Sequence, residues 1–242
     1  MFYWVVKAIL SPILHLVWRP WSVGVENVPR TGPALLVGNH LSFADHFFGP
    51  LPIPRKCVFL AKAEYFTGTG LKGLISKAFF SGVGQVPIDR SGGKASEAAL
   101  RTGLRVLASG ELLGIYPEGT RSPDGKLYRG RTGAARMVLE ARVPVVPMAV
   151  VASDQLMPPG KPIPRVRGFR GKAGVKFGKP LDFSRYYGME NDRIVLRAIT
   201  DEIMYALLEL SGQEYVDRYA QSVKAELEAA EQGAETRVEE PA

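Results

Sequence analysis

Short apolar runs alternate along the chain with stretches of helical periodicity. The runs are rich in Val, Ile and Leu, which favours buried strands, and lie at 34–38, 57–61, 83–88, 112–116, 144–151 and 173–177. Helices are predicted between them, near 43–49, 71–80, 93–109 and 132–141. This alternation predicts a single α/β domain with a mixed, largely buried central sheet flanked by helices.

Residues 2–18 are almost continuously apolar, and Lys7, Ser11 and His15 recur in them every four residues. On a helix these three form one slowly drifting polar stripe. A helix of this length extends about 25 Å, short of the roughly 30 Å hydrocarbon core, and Pro12 is expected to kink or divide it. With aromatic residues at both ends, residues 1–20 are predicted to be a monotopic anchor in one leaflet. The alternative is a helix packed on the domain's own core.

The carboxyl-terminal third predicts two helices after an irregular proline-rich loop. Residues 191–210 are amphipathic, and a second helix is predicted to start near Gly212. One side of the first helix would carry its apolar residues, Ile194, Ala198, Ile203, Leu207 and Leu210. The tail, 226–242, lacks an apolar face and is predicted to be disordered. The main domain is therefore expected to span residues 21–225.

The formal net charge is +7, but the charge is uneven. The tail holds six acids and one base, so the remaining body has 30 basic and 18 acidic residues and a net charge of +12. Such a body favours anionic partners. Nucleic acid is not predicted as a partner, because the aromatic residues cluster in the amino terminus and in apolar runs. The single cysteine, Cys57, excludes an internal disulfide framework and fits a reducing compartment.

The run from Asn39 to Asp45 carries the first chemical signature. His40 follows a predicted strand, at the sheet edge where α/β proteins place ligands. His40 and Asp45 would lie about 140° apart on a regular helix, so they meet only if His40 lies in a loop and Asp45 in the first helical turn. The carboxylate would then orient a histidine that acts as a general base. Alternatively Asp45 only caps the helix, and His46 is a competing histidine.

A second signature, residues 116–122, follows the strand at 112–116. Gly119 permits a tight turn, Thr120 supplies a donor, and Arg121 suits bidentate phosphate binding. Glu118 is expected to organise the turn or a neighbouring base. Arg90 and, more weakly, Lys62 also follow strands and are candidates for the same anion site, although a surface turn with an ion pair is the alternative.

Several other patterns in the sequence say less about function. Residues 68–73 match Gly-x-Gly-x-x-Gly, but no strand directly precedes them, so nucleotide binding is not predicted. No metal-ligand cluster, phosphate-binding Walker loop or serine triad is found in the sequence, and Ser42 lacks the context of a nucleophile. The apolar residues 143–147 either line an acyl tunnel or belong to the core.

Together these motifs resemble the glycerophospholipid acyltransferases, the 1-acylglycerol-3-phosphate (lysophosphatidic acid) acyltransferases in particular. Four blocks match in order, at 39–45, 84–90, 116–122 and 143–147. The sequence as a whole is similar to actinobacterial members of the family. The motif His-x₄-Asp alone is weak evidence for this family, whereas its combination with Pro-Glu-Gly-Thr-Arg at this distance is highly specific for it. Tyr116 departs from the phenylalanine that the family often has.

The resemblance implies a membrane-associated acyltransferase that moves a fatty acyl group to lysophosphatidic acid and gives phosphatidic acid. His40 would be the general base and Asp45 its partner. Arg90, Arg121 and Lys62 would bind the acceptor's phosphate in a site shaped by Glu118, Gly119 and Thr120. The co-substrate would be an acyl-CoA or acyl carrier protein thioester, with no metal or other cofactor. The expected location is the cytoplasmic face of the cell membrane, peripheral or monotopic, with membrane lipids as partners.

Two alternatives stay open from the sequence. The same chemistry could act on glycerol 3-phosphate, another lysophospholipid or a glycolipid hydroxyl. A different class is a non-catalytic membrane-binding module that uses only the apolar amino terminus and the basic body.

Overall fold

The computed structural model of the protein describes residues 2–88, 95–158, 161 and 163–238. The strands are β1 (Trp21–Val23), β2 (Ala34–Gly38), β3 (Cys57–Lys62), β4 (Gln85–Ile88), β5 (Leu112–Ile115), β6 (Leu127–Tyr128), β7 (Val145–Val151), β8 (Gly174–Phe177) and β9 (Tyr215–Val216). The helices are α1 (Phe2–Trp18), α2 (Asp45–Phe48), α3 (Glu64–Thr67), α4 (Gly70–Gly82), α5 (Ala95–Ala108), α6 (Gly133–Ala141), α7 (Ser153–Leu156), α8 (Arg193–Ser211) and α9 (Ala220–Val238).

The central sheet has seven strands in the order β1-β8-β7-β2-β5-β3-β4. Neighbouring strands pair in parallel except β7 and β8, which are antiparallel, so the predicted α/β domain with a mixed sheet is confirmed. A separate two-stranded parallel sheet joins β6 to β9. The sequence analysis did not predict β1, β6 or β9, which are only two or three residues long.

Alternating residues of β2 divide the core into two layers. Leu35 and Val37 face a cluster that includes residues of α5, α6 and α8. Ala34 and Leu36 face the other side, where Trp18 of α1 belongs to the cluster. This period of two follows from the pleat of a strand. Residues 143–147 supply members of both clusters, so this segment is core.

The five neighbouring parallel strands β7, β2, β5, β3 and β4 end at the same edge of the sheet. Val37 of β2 pairs with Ile115 of β5, so both strands deliver their following loops side by side. Those loops begin with the histidine motif and with the loop at 116–122. The topology therefore brings together two segments that are far apart in sequence.

Four expectations about helices need correction. Helix α1 continues through Pro12 undivided, because Tyr3 and Trp18 are buried on either side and hold both halves against the domain. Ile194 does not belong to the buried face of α8 and is 82% exposed. That face comprises Leu196, Ile199, Thr200, Ile203, Met204 and Leu207, so Ile203 and Leu207 of the predicted stripe are buried as expected and Ile194 is not.

The acidic tail is helical as far as Val238, where the sequence predicted disorder from residue 226. Alanine, glutamate and glutamine are good helix formers, so local propensity extends α9 where no apolar face requires it. The helix also begins later than expected, at Ala220, because β9 occupies the intervening segment.

Candidate active site

His40 and Asp45 are in contact at the end of β2. His40 Nδ1 lies 2.8 Å from Asp45 Oδ2, with His40 in the loop and Asp45 as the first residue of α2. Because the carboxylate is an acceptor, Nδ1 carries the proton and Nε2 is the nitrogen left for a substrate. The predicted arrangement of loop and first helical turn is therefore present.

Asp45 is fully buried and braces the whole loop. Its Oδ2 also accepts hydrogen bonds from the backbone N–H groups of Leu41, at 2.7 Å, and Ser42, at 2.9 Å. Its Oδ1 accepts one from the hydroxyl of Ser153. Asp45 is not the N-cap of α2, a position held by Ala44. The carboxylate therefore orients the histidine and fixes the loop that carries it.

Tyr116 stacks on the imidazole of His40. The ring centroids are 3.9 Å apart and the planes differ by 9°. His46 packs edge-on against both rings, at 5.3 Å from His40 and 5.4 Å from Tyr116. Burial lowers the pKa of His46 well below its usual range, and the positive charges of His40 and Arg121 lower it further. The competing histidine, His46, is therefore neutral, and it packs against the rings of His40 and Tyr116.

The carboxylate of Glu118 links its own loop to the loop that carries His40. Its Oε2 accepts a hydrogen bond from the N–H of His40 at 3.0 Å, and its Oε1 accepts one from the N–H of Tyr128 at 2.9 Å. The N–H of Ser122 donates to the carbonyl of His40 at 2.7 Å. Burial raises the pKa of Glu118 to about 8, although the two backbone donors lower it in part. The expected role of Glu118 in organising the turn fits these contacts.

We predict that Glu118→Gln changes the pH dependence of stability. The folded protein holds a proton on Glu118 between pH 4.5 and about pH 8 that the unfolded chain has released. Wild-type stability should therefore fall by about 3–5 kcal/mol as pH rises through this window. The glutamine variant should lack this fall. Urea unfolding followed by circular dichroism at both ends of the window measures it, and a rise in wild-type stability relative to the variant would contradict burial as the dominant effect.

A cavity of about 310 Å³ opens beside His40. Among the predicted residues, Gly119, Thr120 and Arg121 line it. Lys62 is the last residue of β3, and its side chain is not among the described ones. Arg90 lies outside the described residues. The structure thus brings His40 and Arg121 to one cavity.

Two further cations line this cavity and were missed by sequence reasoning, Arg131 and Lys224. Arg131 lies ten residues after Arg121, between β6 and α6, and because the sequence did not predict β6 it carried no signal for this position. Lys224 belongs to α9, and no local pattern connects that helix to the site. Within the described part of the chain, no group of His, Cys, Asp or Glu side chains is arranged to hold a metal ion.

The sequence model of the Acyltransferase family matches residues 21–151, just over half of the chain. A chloroplast protein of Arabidopsis thaliana, named 1-acyl-sn-glycerol-3-phosphate acyltransferase, is 33% identical over 138 residues, which are 57% of this chain and 37% of the relative. An uncharacterised protein of Mycobacterium tuberculosis is 27% identical over 236 residues, covering 81% of this chain and 63% of that protein. The chain thus spans less than two thirds of the length of these relatives.

The fold is also similar to a solved structure. A crystal structure from Thermotoga maritima, described as the 1-acyl-sn-glycerophosphate (LPA) acyltransferase PlsC, superposes with a TM-score of 0.60. Its sequence is 22% identical, and the match covers 86% of this chain and 78% of that one. The region that the family model matches contains both motif loops of the site. The mycobacterial relative agrees with the expected similarity to actinobacterial sequences. The chain therefore belongs to the acyltransferase family.

Proposed function

We propose that this protein transfers a fatty acyl group from a thioester to the free hydroxyl of 1-acylglycerol 3-phosphate, giving phosphatidic acid. One observation carries the proposal: a single cavity is lined by His40, whose Nδ1 is held by Asp45, and by Arg121. A base and an anion-binding cation in one cavity suit a substrate with a hydroxyl and a phosphate a few bonds apart. The name of the plant relative supports the same acceptor.

In the proposed mechanism, Nε2 of His40 removes the proton from the acceptor's hydroxyl. The resulting oxygen forms a bond to the thioester carbonyl carbon, and Asp45 stabilises the imidazolium that forms. The carbon–sulfur bond then breaks, and the leaving thiolate takes the proton from His40. The acyl-CoA or acyl carrier protein thioester is a co-substrate, and the steps require no covalent enzyme intermediate.

The oxyanion of the tetrahedral intermediate needs backbone N–H donors that are not already paired. The N–H groups of His40, Leu41, Ser42 and Ala44 already donate to Glu118, Asp45 and the hydroxyl of Ser42. The backbone N–H groups of Thr120 and Arg121 have no acceptor among the described residues, and both residues line the cavity. We therefore assign oxyanion stabilisation to this second loop.

Arg121 is the proposed ligand of the acceptor's phosphate, with Arg90 and Lys62 as further candidates. Its guanidinium group presents paired donors that match two phosphate oxygens. Gly119 shapes the loop through its positive φ of 76°, and a side chain there would also meet that of Arg131. Thr120 is the neutral donor of this loop.

A substrate panel tests the proposal. Purified protein is offered lysophosphatidic acid, glycerol 3-phosphate, other lysophospholipids and a glycolipid, each with acyl-CoA and acyl carrier protein donors. Phosphatidic acid from lysophosphatidic acid should be the main product by mass spectrometry. Preference for another acceptor would replace this substrate assignment, and absence of turnover on every acceptor would favour the non-catalytic membrane-binding module.

The variant Arg121→Ala is assayed with the same substrates. Loss of a charge-assisted phosphate contact should raise KM for the acceptor by about 10- to 100-fold. Arg193→Ala, which removes an exposed arginine at the start of α8, is the control. An unchanged acceptor KM in Arg121→Ala would contradict the phosphate assignment.

We also propose that α1 attaches the protein to the cytoplasmic face of the cell membrane. Lys7 of the polar stripe faces the domain and donates to the carbonyl of Pro50 at 3.0 Å, whereas His15 at the end of the stripe is exposed. The outward side is apolar and exposed, with Phe2, Trp4, Val5, Ile9, Ile13 and Leu16. No helix of the described residues has the length and apolar character needed to cross a bilayer. An outward apolar face suits a helix lying in one leaflet, and the basic body suits anionic lipid.

We predict that replacing Val5, Ile9 and Ile13 together with glutamine reduces binding to anionic vesicles by about 100-fold or more, because three exposed apolar side chains lose their burial in lipid. Co-sedimentation with the vesicles measures the partition. Ile194→Gln is the control, since it removes an exposed apolar residue from α8, on the opposite face of the sheet. Equal binding of the triple variant and wild type would refute attachment through α1.

A further inference from the structure

Residues 213–224, here called the carboxyl-terminal segment, lie outside the region that the family model matches. They nevertheless pack against both motif loops. The amide of Gln213 accepts a hydrogen bond from Asn39 Nδ2 at 2.7 Å, directly beside His40. The same amide donates to the carbonyl of Gly125 at 2.6 Å. The segment thereby links the loop after β2 to the loop after β5.

The segment then runs alongside residues 127–131. Strand β9 pairs with β6 in parallel. Arg131 donates to Gln221 Oε1 at 2.9 Å, and its guanidinium group lies 5.1 Å from the ring centre of Tyr219. Ala220, the first residue of α9, is fully buried. The beginning of α9 is therefore fixed against the site by strand pairing, a hydrogen bond and core packing.

Lys224 follows Ala220 by one helical turn, so the two residues lie on the same side of α9. Ala220 is buried in the domain, whereas Lys224 is half exposed and lines the cavity beside His40. The described lining residues include three cations, Arg121, Arg131 and Lys224, and no carboxylate. Among the described side chains, Lys224 pairs with Glu228, whose Oε1 lies 3.7 Å from its Nζ and which is 59% exposed.

We propose that Lys224 binds the phosphate of the acceptor, so that the carboxyl-terminal segment completes the anion site; this inference rests on the proposed function. A phosphate monoester carries up to two negative charges and three terminal oxygens. Arg121 can bind two of these oxygens, which leaves the third and a residual charge for another cation. A lysine is a mobile point charge and suits that position. Glu228 competes for Lys224 when the site is empty.

Lys224→Ala tests the proposal. KM for lysophosphatidic acid should rise by about 5- to 30-fold with kcat nearly unchanged, because a charged contact is lost and the base is not. Lys224→Arg should retain most of the affinity. Glu228→Gln should lower KM by about two- to fivefold, because it frees the lysine. Lys179→Ala is the control, an exposed lysine beyond β8 that does not line the cavity.

Binding of inorganic phosphate, measured by calorimetry, separates this inference from the proposed function. Weaker phosphate binding in Lys224→Ala than in Lys179→Ala supports the site even if lysophosphatidic acid is not acylated, an outcome that would remove only the proposed function. Equal phosphate binding and equal KM in Lys224→Ala and wild type would overturn the inference. A fall in kcat with KM unchanged would also overturn it, because it would indicate a structural role for the helix.

Discussion

His40→Ala is expected to lower kcat by about 10³- to 10⁴-fold, because no other described group in the cavity has the same geometry for taking the hydroxyl proton. The fold should survive, since the ring makes a single side-chain hydrogen bond among the described residues and Asp45 keeps its bonds to the backbone of the loop. Binding of lysophosphatidic acid should also survive, because the phosphate contacts are separate. Steady-state kinetics and acceptor binding by calorimetry measure the two effects.

The other histidines supply the controls for this substitution. His15→Ala changes an exposed residue of α1 and should leave kcat unaltered. His46→Phe keeps an aromatic ring packed against Tyr116. It should retain more than about a tenth of the activity, since the proposed role of His46 is packing alone. If His46→Phe were the more damaging of the two changes, the roles of the adjacent histidines would have to be exchanged.

Asp45→Asn is expected to lower kcat by about 10²- to 10³-fold with a smaller effect on stability. The amide oxygen can replace Oδ2 and accept from His40, Leu41 and Ser42, while the amide nitrogen faces the hydroxyl of Ser153. The loop should therefore keep its shape. What is lost is the negative charge that stabilises the imidazolium. Parallel kinetics and thermal unfolding of the variant separate this charge from the loop's geometry.

Ser153→Ala is the matched comparison, because it removes one hydrogen bond to Asp45 and leaves the charge in place. It should cost about 1–3 kcal/mol of stability and less than about tenfold in kcat. Should Asp45→Asn and Ser153→Ala reduce kcat equally, the carboxylate would act through the position of the loop and not through its charge.

The sheet could be predicted from the sequence because its strands are buried on both faces. Such strands are continuous apolar runs, and six of them were located within a few residues. The short strands β1, β6 and β9 carry no such pattern, since two or three residues contain no periodicity. Ile194 was wrongly placed on the buried side of α8 for a related reason: it is apolar and exposed, and polarity alone does not reveal which side a neighbouring layer covers.

The site was predictable where its residues follow neighbouring parallel strands. His40 and the loop at 116–122 meet for that reason, and the contact between His40 and Asp45 follows from a local turn. The catalytic and substrate-binding roles of these residues remain predictions. Lys224 and Gln213 could not have been anticipated, because they reach the cavity through a segment whose position depends on tertiary packing and on the pairing of β9 with β6.

The hydrogen bond between Asn39 and Gln213 spans 174 residues of chain and has a consequence for biosynthesis. A nascent polypeptide leaves the ribosome amino terminus first, and early segments can fold while later ones are still being made. Parallel strands β2, β5 and β7 are available well before residue 213 emerges. The loop bearing His40 therefore acquires its final hydrogen-bonding neighbour near the end of translation, and a chain released prematurely would contain the complete main sheet with an unfinished reaction centre.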